Sequence, residues 1–372
     1  MNRQIEVDFI RMAALIGICV VNVPFMALPT EQLFALPANR WDISASLFTE
    51  VFFQLKFFLL FSFIFGWGMA IQQLAAASKG EHFKSRYFRR IMGLAIFGVL
   101  NATLVFSGDI LVLYAILGSL LWLMEDHEPR ALLKRAAWMI PVSMACLILL
   151  AVLMEESTTQ MPLGSEIFSL PSLGGSFVDA TQARLADWPE TFLVLLLLQG
   201  PLAFAAFLVG LAAAKSDFFA PNSPYFKSLT RRAPWLLLLA LALNVWYSLA
   251  SAGLLPQNAT MLNFVGFILI SVGAPLLSAV YLVTFILLAR RWSAPYLLVL
   301  SGKNTLSTYI LQGVISGWVF GGYGLGLFGD LDQAALLGLA LLISLISMTC
   351  VGIYTHYMGR GPLEQVLRLI SH

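Results

Sequence analysis

Apolar runs long enough to cross a lipid bilayer recur from one end of this chain to the other, and they restrict its fold more than any other feature. Inside hydrocarbon every backbone amide must be paired within the protein, which leaves only helices and closed barrels as spanning elements. A spanning helix needs ~20 mostly apolar residues. With that length relaxed for two short segments, ten stretches qualify: Phe9 to Leu28, Phe52 to Ile71, Ile91 to Phe106, Ile110 to Met124, Ala136 to Met154, Thr191 to Ala213, Trp235 to Leu254, Leu262 to Leu288, Leu297 to Phe320 and Leu336 to Tyr354. The expected fold is therefore all-α, a polytopic transmembrane bundle of about ten spans forming one integral membrane domain over 1–372. Composition agrees, because only 11% of the 372 residues are charged, against roughly 25% in an ordinary soluble domain.

Orientation follows from the Lys and Arg of the short loops, which concentrate on the cytoplasmic side. With the N-terminus inside, only Arg40 and Arg184 fall outside, while Arg11, Lys56 and Lys303 lie within spans; the rest of the 22 basic residues are cytoplasmic. Both termini are then cytoplasmic, 155–190 is an external loop and 355–372 a cytoplasmic tail. A multi-pass protein of a bacterial inner membrane is the expected location. Arg11 and Asn22 inside the first span argue against a cleaved secretory signal, whose core has no use for either.

A net charge of +2 provides no basic surface for nucleic acid. Cys19, Cys146 and Cys350 are isolated within apolar runs, so neither a disulfide framework nor a metal site is expected. The partners implied are membrane lipid and a small-molecule or lipid-like substrate; self-association into a homo-oligomer is left open.

Ionisable groups within a bilayer cost at least a few kcal/mol each and face a cavity, a partner or a substrate path. On the first span Asp8 and Arg11 are spaced to pair. Asn22 follows eleven residues after Arg11, about 20° round the helix and roughly 16 Å along it, so all three share one face. They form either a substrate path or interfacial anchors with an interhelical hydrogen bond. Glu50, Gln54 and Lys56 cluster at the outer end of the second span, where a continuous helix turns Lys56 away from Gln54 to snorkel or to bind. Ser107-Gly108-Asp109 places Asp109 as a cap for the next helix or as a proton acceptor. In the ninth span Lys303 leads a stripe of Asn304, Thr308 and Gln312 at helical spacing, a ligand wall or helix glue.

The series Asp8-Phe9-Ile10-Arg11 with Val21-Asn22-Val23, Lys56-Phe57-Phe58-Leu59-Leu60-Phe61-Ser62, Ser107-Gly108-Asp109-Ile110-Leu111, Gly302 to Gln312, Tyr323-Gly324-Leu325-Gly326-Leu327-Phe328 and Arg360-Gly361-Pro362-Leu363-Glu364 resembles the YeiB family of bacterial inner-membrane proteins, a family of unknown function. The Arg11 to Asn22 spacing is also distantly similar to transmembrane acyltransferases, the heparan-glucosaminide N-acetyltransferase group and bacterial O-acyltransferases. That resemblance implies acyl transfer from a cytoplasmic acyl-CoA type donor to a membrane or external acceptor. Arg11 would hold a phosphate or pantetheine group of the donor, Asn22 the thioester or acceptor, and Asp109 the proton; Asp8, Lys56, Lys303, Asn304 and Gln312 are the further candidate substrate-binding residues that the polar stripes offer, with Arg11, Lys56 and Lys303 binding negative charge if the protein is a transporter. The family's histidine base has no counterpart here, since His82, His127, His356 and His372 are cytoplasmic in this topology; Asp109 or Glu50 must replace it. The alternative is a transporter or binding protein for a small anionic or lipid-like solute. Thiol labelling tests the topology: single cysteines placed in 160–185 should react with an impermeant reagent from outside, and those in 79–88 or beyond Arg360 should not. External labelling of 79–88 would invert the orientation.

Overall fold

A computed structural model describes residues 5–33, 39–78, 80, 83–160, 173–256 and 260–371. The described residues form helices α1 (Ile5–Ala27), α2 (Thr30–Leu33), α3 (Arg40–Phe52), α4 (Lys56–Ala77), α5 (Phe83–Leu104), α6 (Leu111–Trp122), α7 (Pro129–Gln160), α8 (Phe177–Lys215), α9 (Pro224–Ser251), α10 (Thr260–Arg291), α11 (Tyr296–Lys303), α12 (Thr305–Phe320), α13 (Gln333–Met358) and α14 (Pro362–Ser371). No strand occurs among the described residues. Among the described residues, seven helical segments are long and apolar enough to cross a membrane: α1, the stretch Arg40–Ala77, α7, α8, α9, α10 and α13. The other three expected spans fall on α5, which opens on Lys84, Arg86, Arg89 and Arg90, on the 12-residue α6, and on α11 with the 16-residue α12.

Helices without a strong hydrophobic drive toward one another associate through close backbone contact at small residues. The pair α4 and α8 shows this. A β-carbon on Gly66 would lie 2.0 Å from the Phe207 carbonyl oxygen, and one on Gly210 only 1.9 Å from that of Phe63. Each glycine thus admits the other helix's backbone, and Phe65 stacks on Phe207 beside them at 4.5 Å between ring centroids. Around this contact α1, α4, α6 and α8 enclose the main apolar core.

Two expected continuous spans are interrupted. Between α3 and α4, Leu55 adopts a left-handed backbone (φ 66°), which is costly for a non-glycine residue. The turn directs Lys56 inward, where it is fully buried and donates from Nζ to the Glu50 carbonyl at 2.8 Å. The helical-wheel placement of Lys56 fails because no single helix contains both it and Gln54. The ninth span breaks at Asn304, whose Nδ2 donates to the Leu300 carbonyl at 2.9 Å and to Thr355 at 3.1 Å, and whose Oδ1 accepts from Gly361 N at 2.7 Å. The α12 amides exposed by that break are capped from a distance. Glu364 of α14 accepts from Leu306 N at 2.8 Å, Ser307 N at 3.1 Å and the Ser307 hydroxyl at 2.5 Å.

The segments expected as loop and tail are also more ordered than a linker. α7 continues to Gln160 and α8 starts at Phe177 behind a capping box of Ser176 and Asp179; residues 161–172 lie outside the described residues. Arg184, placed by the sequence in the external loop, is buried, donating to the Leu104 carbonyl at 2.9 Å and to Tyr323 at 3.1 Å. The tail folds back as α14 against α5, with Leu367 and Ile370 over Gly93.

The α4–α8 contact yields a stability prediction. Gly210→Ala forces a methyl group into backbone and should cost about 3 kcal/mol or more, seen as a loss of the monodisperse peak or a lower Tm. Gly338→Ala, with open space around it, should leave Tm unchanged or slightly raised. Equal behaviour of the two variants would contradict the close approach.

Candidate functional site

Helix α1 carries the polar residues from one end of the bundle into its middle. Near its start Asp8 and Arg11 pair at 3.6 Å, as their spacing predicts. Arg11 lines a cavity of about 300 Å³ together with Gln72, Tyr87, Arg90, Lys303, Tyr309 and Glu364. This cavity opens at the basic end of the bundle, beside the arginine-rich start of α5, and α14 forms one side of it through Glu364 and Leu367. Three cationic side chains from three different elements, α1, α5 and α11, therefore converge on one space. Sequence reasoning assigned Arg90 to a loop, and nothing in its local pattern distinguishes it from its neighbours Arg86 and Arg89.

A second cavity, about 200 Å³, approaches from the opposite end. Its polar lining is neutral: Asn22, Gln54, Thr191, Gln199, Tyr247 and Ser251. Ile18 and Ile110 line both cavities, so the partition is one layer of side chains thick. A chamber of about 20 Å³ sits beside this wall, bounded by Asn22, Asn101, Tyr309, Gln312 and Ser316, and Tyr309 faces both it and the basic cavity. A separate crevice of about 540 Å³ between α4, α7, α8, α9 and α10 is mostly apolar, its polar groups being Arg130, Ser216, Tyr225 and Ser278.

Asp109 braces the partition from behind. It is fully buried and lines none of these cavities. Oδ1 accepts from Asn101 Nδ2 at 2.8 Å and from the Tyr309 hydroxyl at 3.0 Å, and Oδ2 accepts from Leu111 N at 2.9 Å. Capping and proton handling are thus not exclusive. The carboxylate serves the first turn of α6 with one oxygen and holds Tyr309, the group that faces the cavities, with the other. A tyrosine within an apolar helix is unremarkable in sequence, so only the fold identifies Tyr309.

The remaining candidates separate. Gln312 lies in the small chamber with Asn22, Lys303 lies in the basic cavity, and Asn304 is turned to the α13–α14 junction, where it organises the helix break. Lys56 packs under Glu50, away from Arg11; Glu50 accepts from Ser251 at 3.4 Å and lines none of the cavities. Among the described residues no group of three or more His, Cys, Asp or Glu could hold a metal ion.

The hydrogen bonds of Asp109 alter what its replacement by asparagine should do. An amide has one acceptor oxygen and would turn its NH2 toward another donor. Asp109→Asn should therefore destabilise the protein by about 1–3 kcal/mol. Tyr309→Phe removes one of three donors and leaves the cap intact, so it should unfold within a few degrees of the wild type. Thermal unfolding of both variants checks this; an Asp109→Asn variant as stable as wild type would contradict the three-donor arrangement.

Residues 213–372 match the family described as Protein of unknown function (DUF418). Over 100% of its length the chain is 28% identical to the uncharacterized protein YxaH of Bacillus subtilis, covering 95% of that protein. It is 25% identical to the uncharacterized protein YeiB of Escherichia coli, covering 100% of this chain and 97% of that protein. No solved structure matches. The chain is thus similar to these uncharacterized proteins along its whole length, and to the family of unknown function DUF418 over residues 213–372.

Proposed function

We propose that this YeiB relative is a transmembrane acyltransferase, taking an acyl group from a cytoplasmic acyl-CoA type thioester and passing it to a membrane or external acceptor. One observation carries the reading: the cavities on either side of the partition differ in charge. Arg11, Arg90 and Lys303 gather on one side, while the facing cavity offers only neutral amides and hydroxyls. A donor bearing phosphates is attracted to the first and has no matching charge beyond it. At about 300 Å³ the basic cavity is at the small end of ligand sites, enough for the acyl-bearing arm of such a donor with its anionic remainder at the mouth.

In this reaction the acceptor's oxygen or nitrogen bonds to the acyl carbon as the carbon–sulfur bond breaks. The acceptor's proton passes through Tyr309, oriented by Asp109, to the departing thiolate, which leaves as a thiol. Asn22, across the chamber from Tyr309, orients the acceptor. Lys303 and Arg11 hold the donor, with Asp8 fixing Arg11; Asn304 and Lys56 contribute through the two helix breaks.

A carrier for a small anionic or lipid-like solute is the second reading, and the interrupted pairs α3–α4 and α11–α12 favour it, since broken helices recur at carrier binding sites. Purified protein supplied with acyl-CoA species and membrane lipid separates the two. Acyl transfer predicts release of free thiol, reduced ~100-fold by Tyr309→Phe and weakened more in KM than in kcat by Arg11→Lys. Absence of thiol release with every acyl-CoA, together with solute flux in proteoliposomes that Tyr309→Phe leaves intact, would reverse the order of the readings.

A further inference from the structure

The crevice between α4, α7, α8, α9 and α10 shares no lining residue with the basic cavity or the neutral one. Its closed end lies where α7 and α10 meet through the buried hydroxyls of Ser143 and Ser271, 2.9 Å apart. Pro275 follows Ser271 by one turn of α10. A proline offers no amide hydrogen to the carbonyl four residues before it, and a helix bends there. From that point toward the basic end of the bundle, α7 from Pro129 to Ile140 and α10 from Pro275 to Leu282 border open space. The crevice reaches the buried Leu60, Phe63 and Leu202, while Arg130, Leu133 and Tyr225 at its rim are exposed. Alanines keep it clear: Ala136 and Ala137 of α7, Ala205 and Ala206 of α8 and Ala279 of α10 carry no side chain long enough to fill it.

Polarity is gathered at one end. Arg130 lies in the first turn of α7, Ser216 follows α8 and Tyr225 lies in the first turn of α9, and these three helix ends meet on the same side of the bundle. The exception is Ser278, deeper in, whose hydroxyl is committed to the Lys56 and Ala274 carbonyls. Arg130 forms no ion pair among the described residues, and Ser216 donates to the Ala212 carbonyl at 2.8 Å, which leaves its oxygen as an acceptor. Lys134 of α7 and Lys227, Arg231 and Arg232 of α9 surround this end, against the acidic Glu128 and Asp217. Along α8, Ser216 and Leu202 are ~21 Å apart. That is the depth of one leaflet, half of a bilayer ~40–45 Å thick with its headgroups.

We propose that this crevice binds one anionic phospholipid, an acyl chain lying in the alanine-lined slot and the phosphate meeting Arg130 and the Tyr225 hydroxyl. Basic pockets between membrane helices hold anionic headgroups in this way. A soluble anion would use Arg130 and leave the slot empty, a neutral lipid would fill the slot and leave the guanidinium unmatched, and a helix ~10 Å across is too wide for about 540 Å³ over that depth. The inference does not rest on acyl transfer, since the slot and the proposed reaction site have no residue in common.

The test is native mass spectrometry of the purified, delipidated full-length protein titrated with dioleoyl phosphatidylglycerol or dioleoyl phosphatidylcholine, which share their chains and differ in net charge. The first phosphatidylglycerol should bind ~5-fold more tightly than the first phosphatidylcholine, the effect of one guanidinium at headgroup level. Arg130→Gln should lower phosphatidylglycerol to the phosphatidylcholine value, and Lys134→Gln, a charge change on the same helix outside the lining, should retain a preference. Ala137→Phe, which fills the slot from its exposed rim, should weaken the first binding of both lipids. Arg130 and Ala137 are both exposed, so each variant should unfold at the wild-type Tm without added lipid. Equal binding of the two lipids by the wild type, a preference that survives Arg130→Gln, or lipid binding untouched by Ala137→Phe would overturn the site. A dimer that excludes the first lipid would assign the slot to a second copy of the chain and overturn it as well.

Discussion

Burying a single carboxylate inside an apolar helical bundle demands that several elements converge on it, and Asp109 is that point in this protein. Asn101 of α5, Leu111 of α6 and Tyr309 of α12 all donate to it. One side chain thereby sets the angle of the α5–α6 hairpin, ties that hairpin to α12 some 200 residues later, and fixes a phenol where two cavities nearly meet. Leaving such a charge unpaired costs several kcal/mol, so the carboxylate and the partition stand or fall together. The same logic extends to Glu364, which reaches from α14 to satisfy the amides freed by the break before α12. The break supplies Lys303 to the basic cavity, and the tail helix both stabilises that break and walls the cavity.

Much of this was legible in the residues alone. Apolar runs located the helices, and the Asp8–Arg11–Asn22 spacing identified the polar face of α1, which the structure follows from the basic cavity to the inner chamber. Capping by Asp109 could be read from Ser107-Gly108-Asp109 because a short polar turn before an apolar run has few other uses. What escaped the sequence depends on long-range contact. Lys56 and Asn304 each sit at an interruption of an otherwise helical pattern, and periodicity carries no sign of a break that is stabilised by residues six or fifty-seven positions away. Arg184 resembled a loop charge until α5 and Tyr323 supplied its acceptors. Tyr309 owes its importance entirely to Asp109, a partner no local pattern indicates.

Charge asymmetry gives the proposed site its direction. The basic cavity collects its cations from three separate elements, and the opposing cavity has none, so in the proposed reaction an anionic donor and a neutral acceptor would be sorted before they meet.

The most direct measurement is a structure of the purified protein, by electron cryomicroscopy, with a thioether analogue of acyl-CoA that cannot release its acyl group. The account predicts density for the pantetheine arm between Arg11, Arg90 and Lys303, with the acyl carbon ending at Tyr309 and the second cavity still closed from the first. An analogue that fails to bind at saturating concentration, or one that lies in the neutral cavity with the basic one empty, would contradict the proposed acyltransferase site.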